Sequence, residues 1–319
     1  MSVLTKHPAA PPAASEVPLR PPRRRRNGAA PKKKQRAGYL FLLPWFVGMA
    51  FTVIPFFASL YLAFTDYNLF NEPTWVGLAN FQDMLQDERL WQSLKVTFIY
   101  TFVSVPISLA AALVVALMLN RGLRGLAVYR SVYYLPSLLG GSVAVVMLWR
   151  YIFGNDGIVN GFLGMFGIDG PAWVTDPEFS LSTLIVLNIW TFGSPMVIFL
   201  AGLRQVPAMY YEAAAIDGAS KWRQFRSITV PLISPIIFFN LIMQLIGSFQ
   251  TFTQGYVMSG GTGGPADSTL FYNLYLYQKG FTEFEMGYAS AMAWVLLMII
   301  AVFTAINFIA SKFWVFYDS

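Results

Sequence analysis

The sequence predicts an all-α, polytopic membrane protein, and three observations carry that reading. Of 319 residues, 56% are hydrophobic and only 12% are charged, whereas a soluble domain carries about 25% charged residues. Six apolar stretches lie near 39–64, 97–119, 132–153, 181–203, 232–256 and 287–311, each about the 20 residues a helix needs to cross a 30 Å hydrocarbon layer. The segments between them alternate in charge. Together these exclude a soluble globular enzyme and a wholly disordered chain. The runs are continuous, unlike the alternating strands of a membrane barrel.

Residues 1–38 form a Pro/Ala-rich block with ten basic residues and one acidic, Glu16. The block is +9 and the remaining 281 residues are −3, so the total of +6 belongs to this tail alone. Such a composition cannot bury enough apolar area to offset chain entropy, and disorder is expected. The arginine run reads first as a topological anchor and second as a contact to anionic lipid. No aromatic platform accompanies it, so no nucleic-acid partner is expected. A cleaved secretory signal is not expected either, because the first apolar stretch is long and lacks a small-residue cleavage site.

Residues 39–64 form the first span. The following segment, 65–96, holds five acidic and two basic residues. Loop 120–131 has Arg121, Arg124 and Arg130 and no acid; loop 154–180 has Asp156, Asp169, Asp176 and Glu178 and no base. Loop 204–231 has four basic and two acidic residues, and 257–286 has one lysine and three acids. By the positive-inside rule both termini, including 312–319, lie in the cytoplasm and the acidic segments lie outside. Pro44, Pro55, Pro106, Pro136, Pro195 and Pro235 fall in or near spans, where neighbouring helices satisfy the freed backbone groups.

The absence of cysteine and the single histidine, His7 in the tail, remove thiolate metal sites, a histidine-based metal site and a Ser-His-Asp triad. No metal and no cofactor are expected. Ionisable residues within the spans are nearly absent; Arg150 sits near a span end, where it can snorkel. Ion-driven carriers keep Asp, Glu or His at mid-membrane, so the driving force should come from elsewhere. No phosphate-binding Walker loop occurs. The stretch GGTGGP (260–265) lacks a lysine and falls outside; it reads as a flexible turn or as a loop touching an external partner.

Within the spans, Asn240, Gln244 and Ser248 recur at i, i+4 and i+8 and so share a helical face. Thr251 and Gln254 extend roughly the same stripe, and Asn188, Trp190 and Ser194 are the comparable group in the fourth span. Buried amides and hydroxyls need partners. Hydroxyls of a bound solute would serve, with Trp190 stacking on a ring; hydrogen bonds between neighbouring helices would serve equally.

The segment VPAMYYEAAAIDGASKWRQFRSITVP (206–231) is the most informative. Pro207 suits a first helical turn. Met209, Ala213 and Ile216 share a face. Asp217 and Gly218 make a turn, Ser220 caps a second short helix, and Pro231 is expected to stop that helix and open the next span. Glu212, Ala213, Ala214, Gly218, Ile228 and Pro231 match in type and spacing the signature of permease subunits in binding-protein-dependent ABC importers, with Val230 in place of the usual Leu. VGLANFQDML (76–85), YLPSLLGGSVAVVMLWRYIF (134–153) and ITVPLISP (228–235) resemble the carbohydrate-uptake branch, in particular the maltose/lactose/glycerol-phosphate permease type.

The resemblance implies a MetI-like core of five helices over 97–311, preceded by a first helix that wraps a second, related permease subunit. It implies two ABC ATPase subunits beneath and an external solute-binding protein, with no catalytic site in this chain. Segment 204–231 would couple to the ATPase, with Glu212 accepting hydrogen bonds or an ion pair at the docking site and Gly218 allowing a tight turn. The scarcity of cations in the spans favours a neutral sugar or polyol over an anion such as glycerol phosphate. The expected setting is the bacterial plasma membrane.

Overall fold

The computed structural model describes residues 32–122 and 125–316. The charged tail up to residue 31, the loop positions 123 and 124 and residues 317–319 lie outside the described residues.

The described chain is helical almost throughout. The elements are α1 (Lys32–Leu62), a two-residue antiparallel pair β1 (Thr65–Asp66) and β2 (Thr74–Trp75), α2 (Ala79–Gln86), α3 (Glu88–Leu119), α4 (Leu126–Leu139), α5 (Val143–Ile152), α6 (Ile158–Gly164), α7 (Ser180–Trp190), α8 (Gly193–Leu203), α9 (Ala208–Ile216), α10 (Lys221–Gln224), α11 (Val230–Phe249), α12 (Thr253–Ser259), α13 (Tyr272–Tyr277) and α14 (Met286–Trp314). Five stretches, 41–62, 88–119, 180–203, 221–249 and 286–314, are long and apolar enough to cross a membrane. The pair α4 and α5 makes a sixth if taken together.

The chain divides at Ile54–Pro55 into two compact units. In the first, α1 begins at Lys32, so the disorder expected as far as residue 38 does not extend over its last seven residues. Apolar side chains from Phe41 to Ile54 are exposed on that helix.

In the second unit, α3 is the central element. Asp87 caps its start, accepting from the backbone N–H groups of Arg89 and Leu90 at 3.0 and 3.1 Å. That cap explains why the helix begins nine residues before the expected span: local polarity sets the hydropathy boundary, but the cap sets the helix boundary. Val105, Ala112 and Ala116 are fully buried against Met196, Phe199 and Leu200 of α8. Small residues at i and i+4 let two helix backbones approach closely. A second apolar cluster gathers Tyr100, Leu184, Phe271, Tyr272 and Met292 around the other end of α3. There Gly287 lies so close to β1 that a Cβ would run into the carbonyl of Thr65.

The expected span 132–153 is not one helix. α4 and α5 meet at 98°. Pro136 cannot donate to the preceding turn, Gly140 and Gly141 follow it, and Ser142 restarts the helix by accepting from Val145 N–H at 3.4 Å. The fourth span also breaks, between Trp190 and Gly193; Pro195 then sits in the first turn of α8, where a missing N–H costs nothing. The expected span 232–256 ends at Phe249, and α12 follows as a separate short helix.

Candidate functional site

The two helix breaks adjoin. A Cβ on Gly140 would collide with Thr191 Cγ2, and one on Gly193 would run into the backbone of Tyr133. Beside this contact lies a cavity of about 370 Å³, walled by α3, the α4–α5 corner, α7, α8 and α11, within the range of small-molecule sites. Irregular backbone is tolerated at membrane depth where it lines such a space.

Asn188, Ser194, Asn240 and Gln244 border the cavity, and so does Gln254. Asn188 Nδ2 donates to Tyr100 Oη at 3.0 Å, while Asn188 Oδ1 is buried without a partner. Asn240 is 2% exposed and its Nδ2 is likewise unpaired. Ser194 Oγ donates to Ser137 Oγ at 3.1 Å. Each unpaired buried group costs roughly 1–3 kcal/mol. Among the described residues no Asp, Glu, Lys or Arg borders this cavity.

Two candidates lie elsewhere. Trp190 packs at 5.5 Å against Trp149, the rings tilted by 33°, and the Trp149 indole N–H donates to the carbonyl of Thr183 at 3.1 Å. Ser248 is buried and unpaired but is not among the cavity residues. Tyr100, Thr191 and the Gly140–Gly141 corner were absent from the sequence-derived set. A tyrosine in an apolar span gives no periodic polar signal, and a glycine corner gives none at all.

Segment 206–231 folds tightly on itself. α9 ends in a Schellman motif: Gly218 N–H donates to Ala215 O at 3.1 Å and Ala219 N–H to Ala214 O at 2.8 Å. Gly218 sits at φ +73° with open space where a Cβ would be, so backbone conformation alone selects glycine. Ser220 caps α10 by accepting from Arg223 N–H at 3.3 Å. Tyr211 and Thr229 hydroxyls meet at 2.9 Å and tie α9 to the following helix. Glu212, Ala213 and Asp217 are exposed, Ala214, Ile228 and Pro231 half-buried. Met209, Ile216 and Trp222 are 67%, 88% and 70% exposed, an apolar surface on a rigid loop. Pro231 does not stop the helix as expected. A π-helical turn at Phe225–Thr229 carries the chain straight into α11, and its wider spacing accommodates a residue that has no N–H to donate.

A polar cluster joins the segment before α3 to the one before α14. Asp87 accepts from the Tyr275 and Tyr288 hydroxyls, both at 2.7 Å. Arg89 grips Asp267 through two bonds of 2.9 and 3.0 Å. Lys279 pairs with Glu283 and Glu285 and lies over the Tyr275 and Tyr288 rings. Burial works to raise the Asp87 carboxyl, but the two tyrosines, the Leu90 N–H and nearby Lys279 hold it below its ordinary value. Burial works against the Lys279 charge, yet Glu283 and Glu285 keep its ammonium above the ordinary range.

A multi-span helical unit with broken helices around a neutral polar cavity and a self-braced loop defines a class: a membrane permease of the ATP-binding-cassette importers. Residues 86–314 match the binding-protein-dependent transport system inner membrane component family, and the chain belongs to it. The probable ABC transporter permease protein YesP of Bacillus subtilis is 54% identical over 286 residues, spanning 89% of this chain and 93% of that one. The lactose transport system permease protein LacF of Rhizobium radiobacter is 34% identical, spanning 86% and 94%. In the crystal structure of a bacterial ABC transporter that imports the acidic polysaccharide alginate, one chain has the same fold, with TM-score 0.72 at 23% identity over 88% of this chain and 96% of that one.

Proposed function

We propose that this chain forms half of the translocation path of an ATP-driven importer for a neutral sugar, a di- or oligosaccharide or a related polyol, in the bacterial plasma membrane. One observation carries the reading. Among the described residues, Asn188 Oδ1 lacks a donor and Asn240 Nδ2 an acceptor, both atoms are buried, and both residues border one cavity. A sugar hydroxyl donates and accepts at once, so one class of ligand satisfies both. Gln244, Gln254 and Ser194 add further polar contacts, and Tyr100 and Phe239 add apolar ring surface. The lactose-permease relative favours the same class. A glycerol-phosphate-type solute would want a cation at this cavity, and among the described residues none borders it.

Segment 206–231 is the coupling element in this reading. Its exposed Glu212, Met209, Ile216 and Trp222 dock on an ATPase subunit, and its internal bonds let ATP-driven closure move it as a rigid body. A second permease subunit completes the path, two ATPases drive it and an external binding protein supplies the solute. The basic loops and both termini face the cytoplasm. The test is uptake by the assembled complex in proteoliposomes, across a panel of neutral saccharides, with and without ATP. ATP-dependent uptake of a neutral saccharide that drops in Asn188→Ala and in Asn240→Ala supports the reading; uptake indifferent to both changes contradicts it.

A further inference from the structure

The central cavity has a neighbour. Ser194 and Ile198, which border it, also border a second cavity of about 440 Å³ whose remaining walls are Arg130, Ser131 and Tyr134 of α4 and Val197 of α8. On α4, Arg130, Tyr134, Ser137 and, past its end, the Gly141 corner follow at i, i+4, i+7 and i+11, so one helical face leads from the second cavity to the first. Arg130 to Ser137 spans about 10 Å at 1.5 Å per residue. The hydroxyls along this face are held: Ser194 donates to Ser137, and Ser137 donates to the Tyr134 carbonyl at 2.7 Å. Among the described residues Arg130 forms no salt bridge. The charge bias of loop 120–131 explains why a cation stands near here, but not why it lines a cavity that shares Ser194 and Ile198 with the central one.

We propose that Arg130, Ser131 and Tyr134, with Ser194, form a second solute station between the central cavity and the basic end of the helices. This rests on the sugar-permease reading. The solute class is the same neutral polyol. The guanidinium presents five donors in a fixed fork suited to neighbouring hydroxyls, the Tyr134 ring can stack on a sugar face, and Val197 and Ile198 meet its C–H surface. Ser194 belongs to both stations, so solute passes from one to the other without a desolvated gap.

The chain contains no cysteine, so single substitutions report cleanly. Ser131→Cys, Tyr134→Cys and Gln244→Cys, with Val132→Cys as the exposed off-path control, are treated in the assembled complex with a membrane-impermeant thiol reagent from the ATPase side. Labelling is measured with and without whichever neutral saccharide the wild-type complex imports. The expected result is labelling of positions 131 and 134 that the saccharide slows, with Val132→Cys indifferent to it. Protection at Gln244→Cys without protection at 131 and 134 overturns the station and leaves the central cavity standing. Loss of protection at all three overturns the sugar-cavity reading and the station with it. Arg130→Gln should slow uptake about tenfold, the worth of one hydrogen bond to a charged group. Arg130→Lys, which keeps the charge but not the fork, should stay slow; full recovery with lysine reduces Arg130 to a topological charge and overturns its part.

Discussion

Asn188 donates its amide hydrogen to the Tyr100 hydroxyl at 3.0 Å, and its Oδ1 is left buried without a partner beside a cavity that Tyr100, Asn188 and Asn240 all border. In the proposed importer the tyrosine would act on solute through the asparagine. Its ring packs edge-on against Phe271 at 4.9 Å, a contact that phenylalanine would keep. Tyr100→Phe should leave folding and assembly intact and reduce saccharide uptake about tenfold, equivalent to one hydrogen bond of about 1.4 kcal/mol. Uptake kinetics with a thermal-unfolding control check it.

Gly218 closes α9 at φ +73°. A side chain there carries a left-handed penalty of about 1–2 kcal/mol, and aspartate adds charge beside Glu212 and Asp217. Gly218→Asp should abolish import while the complex still assembles, because the docking surface loses its shape. Wild-type uptake in an assembled Gly218→Asp complex would remove segment 206–231 from the coupling role.

The cluster around Asp87 bears on stability and on pH. Asp87→Asn leaves two tyrosine hydroxyls competing for one acceptor and weakens the cap of α3, with an expected cost of about 1–2 kcal/mol. The native carboxyl is held below its ordinary value. Its contribution is therefore full above the unfolded value near 4 and disappears as pH falls through the lower folded value. Thermal unfolding in detergent should show a gap between wild type and Asp87→Asn at pH 7 that closes below about pH 4. A gap of constant size would mean that the ionised form contributes nothing.

Gly193 is packed so tightly against the backbone of Tyr133 and Tyr134 that any Cβ forces the helices apart. Gly193→Ala should destabilise by about 1–3 kcal/mol and shift Ser194 from Ser137. Gly141 borders the same cavity but has nothing within 4 Å of a Cβ, so Gly141→Ala should fold normally. Equal unfolding temperatures for the two variants would contradict the packing account.

Much of this molecule was legible in its sequence. Continuous apolar runs located the membrane helices, because burial in lipid leaves no polar face to confuse the period. The polar residues Asn188, Ser194, Asn240 and Gln244 stood out against that background, and all four border one cavity. The Schellman turn at Gly218 and the cap at Ser220 followed from local chemistry that needs no tertiary partner. The corner at Gly140–Gly141 was not legible: hydropathy is as high on either side of the bend as in a straight helix, and the bend depends on Thr191 and Gly193 packing against it. Trp190 went to Trp149 because an indole face is satisfied by either a sugar or another indole. Sequence spacing cannot distinguish those neighbours. Pro231 does not end the helix, because a π-helical turn, invisible in composition, absorbs its missing donor.

In the proposed importer solute is held by the pair Asn188 and Asn240. The most direct measurement is ATP-driven uptake of a neutral saccharide into proteoliposomes by the assembled complex carrying Asn188→Ala and Asn240→Ala together. The expected result is ATP-dependent uptake in wild type and a loss of at least about tenfold in the double variant, with assembly and unfolding temperature retained. Undiminished uptake by the double variant, or wild-type uptake that persists without ATP, would contradict it.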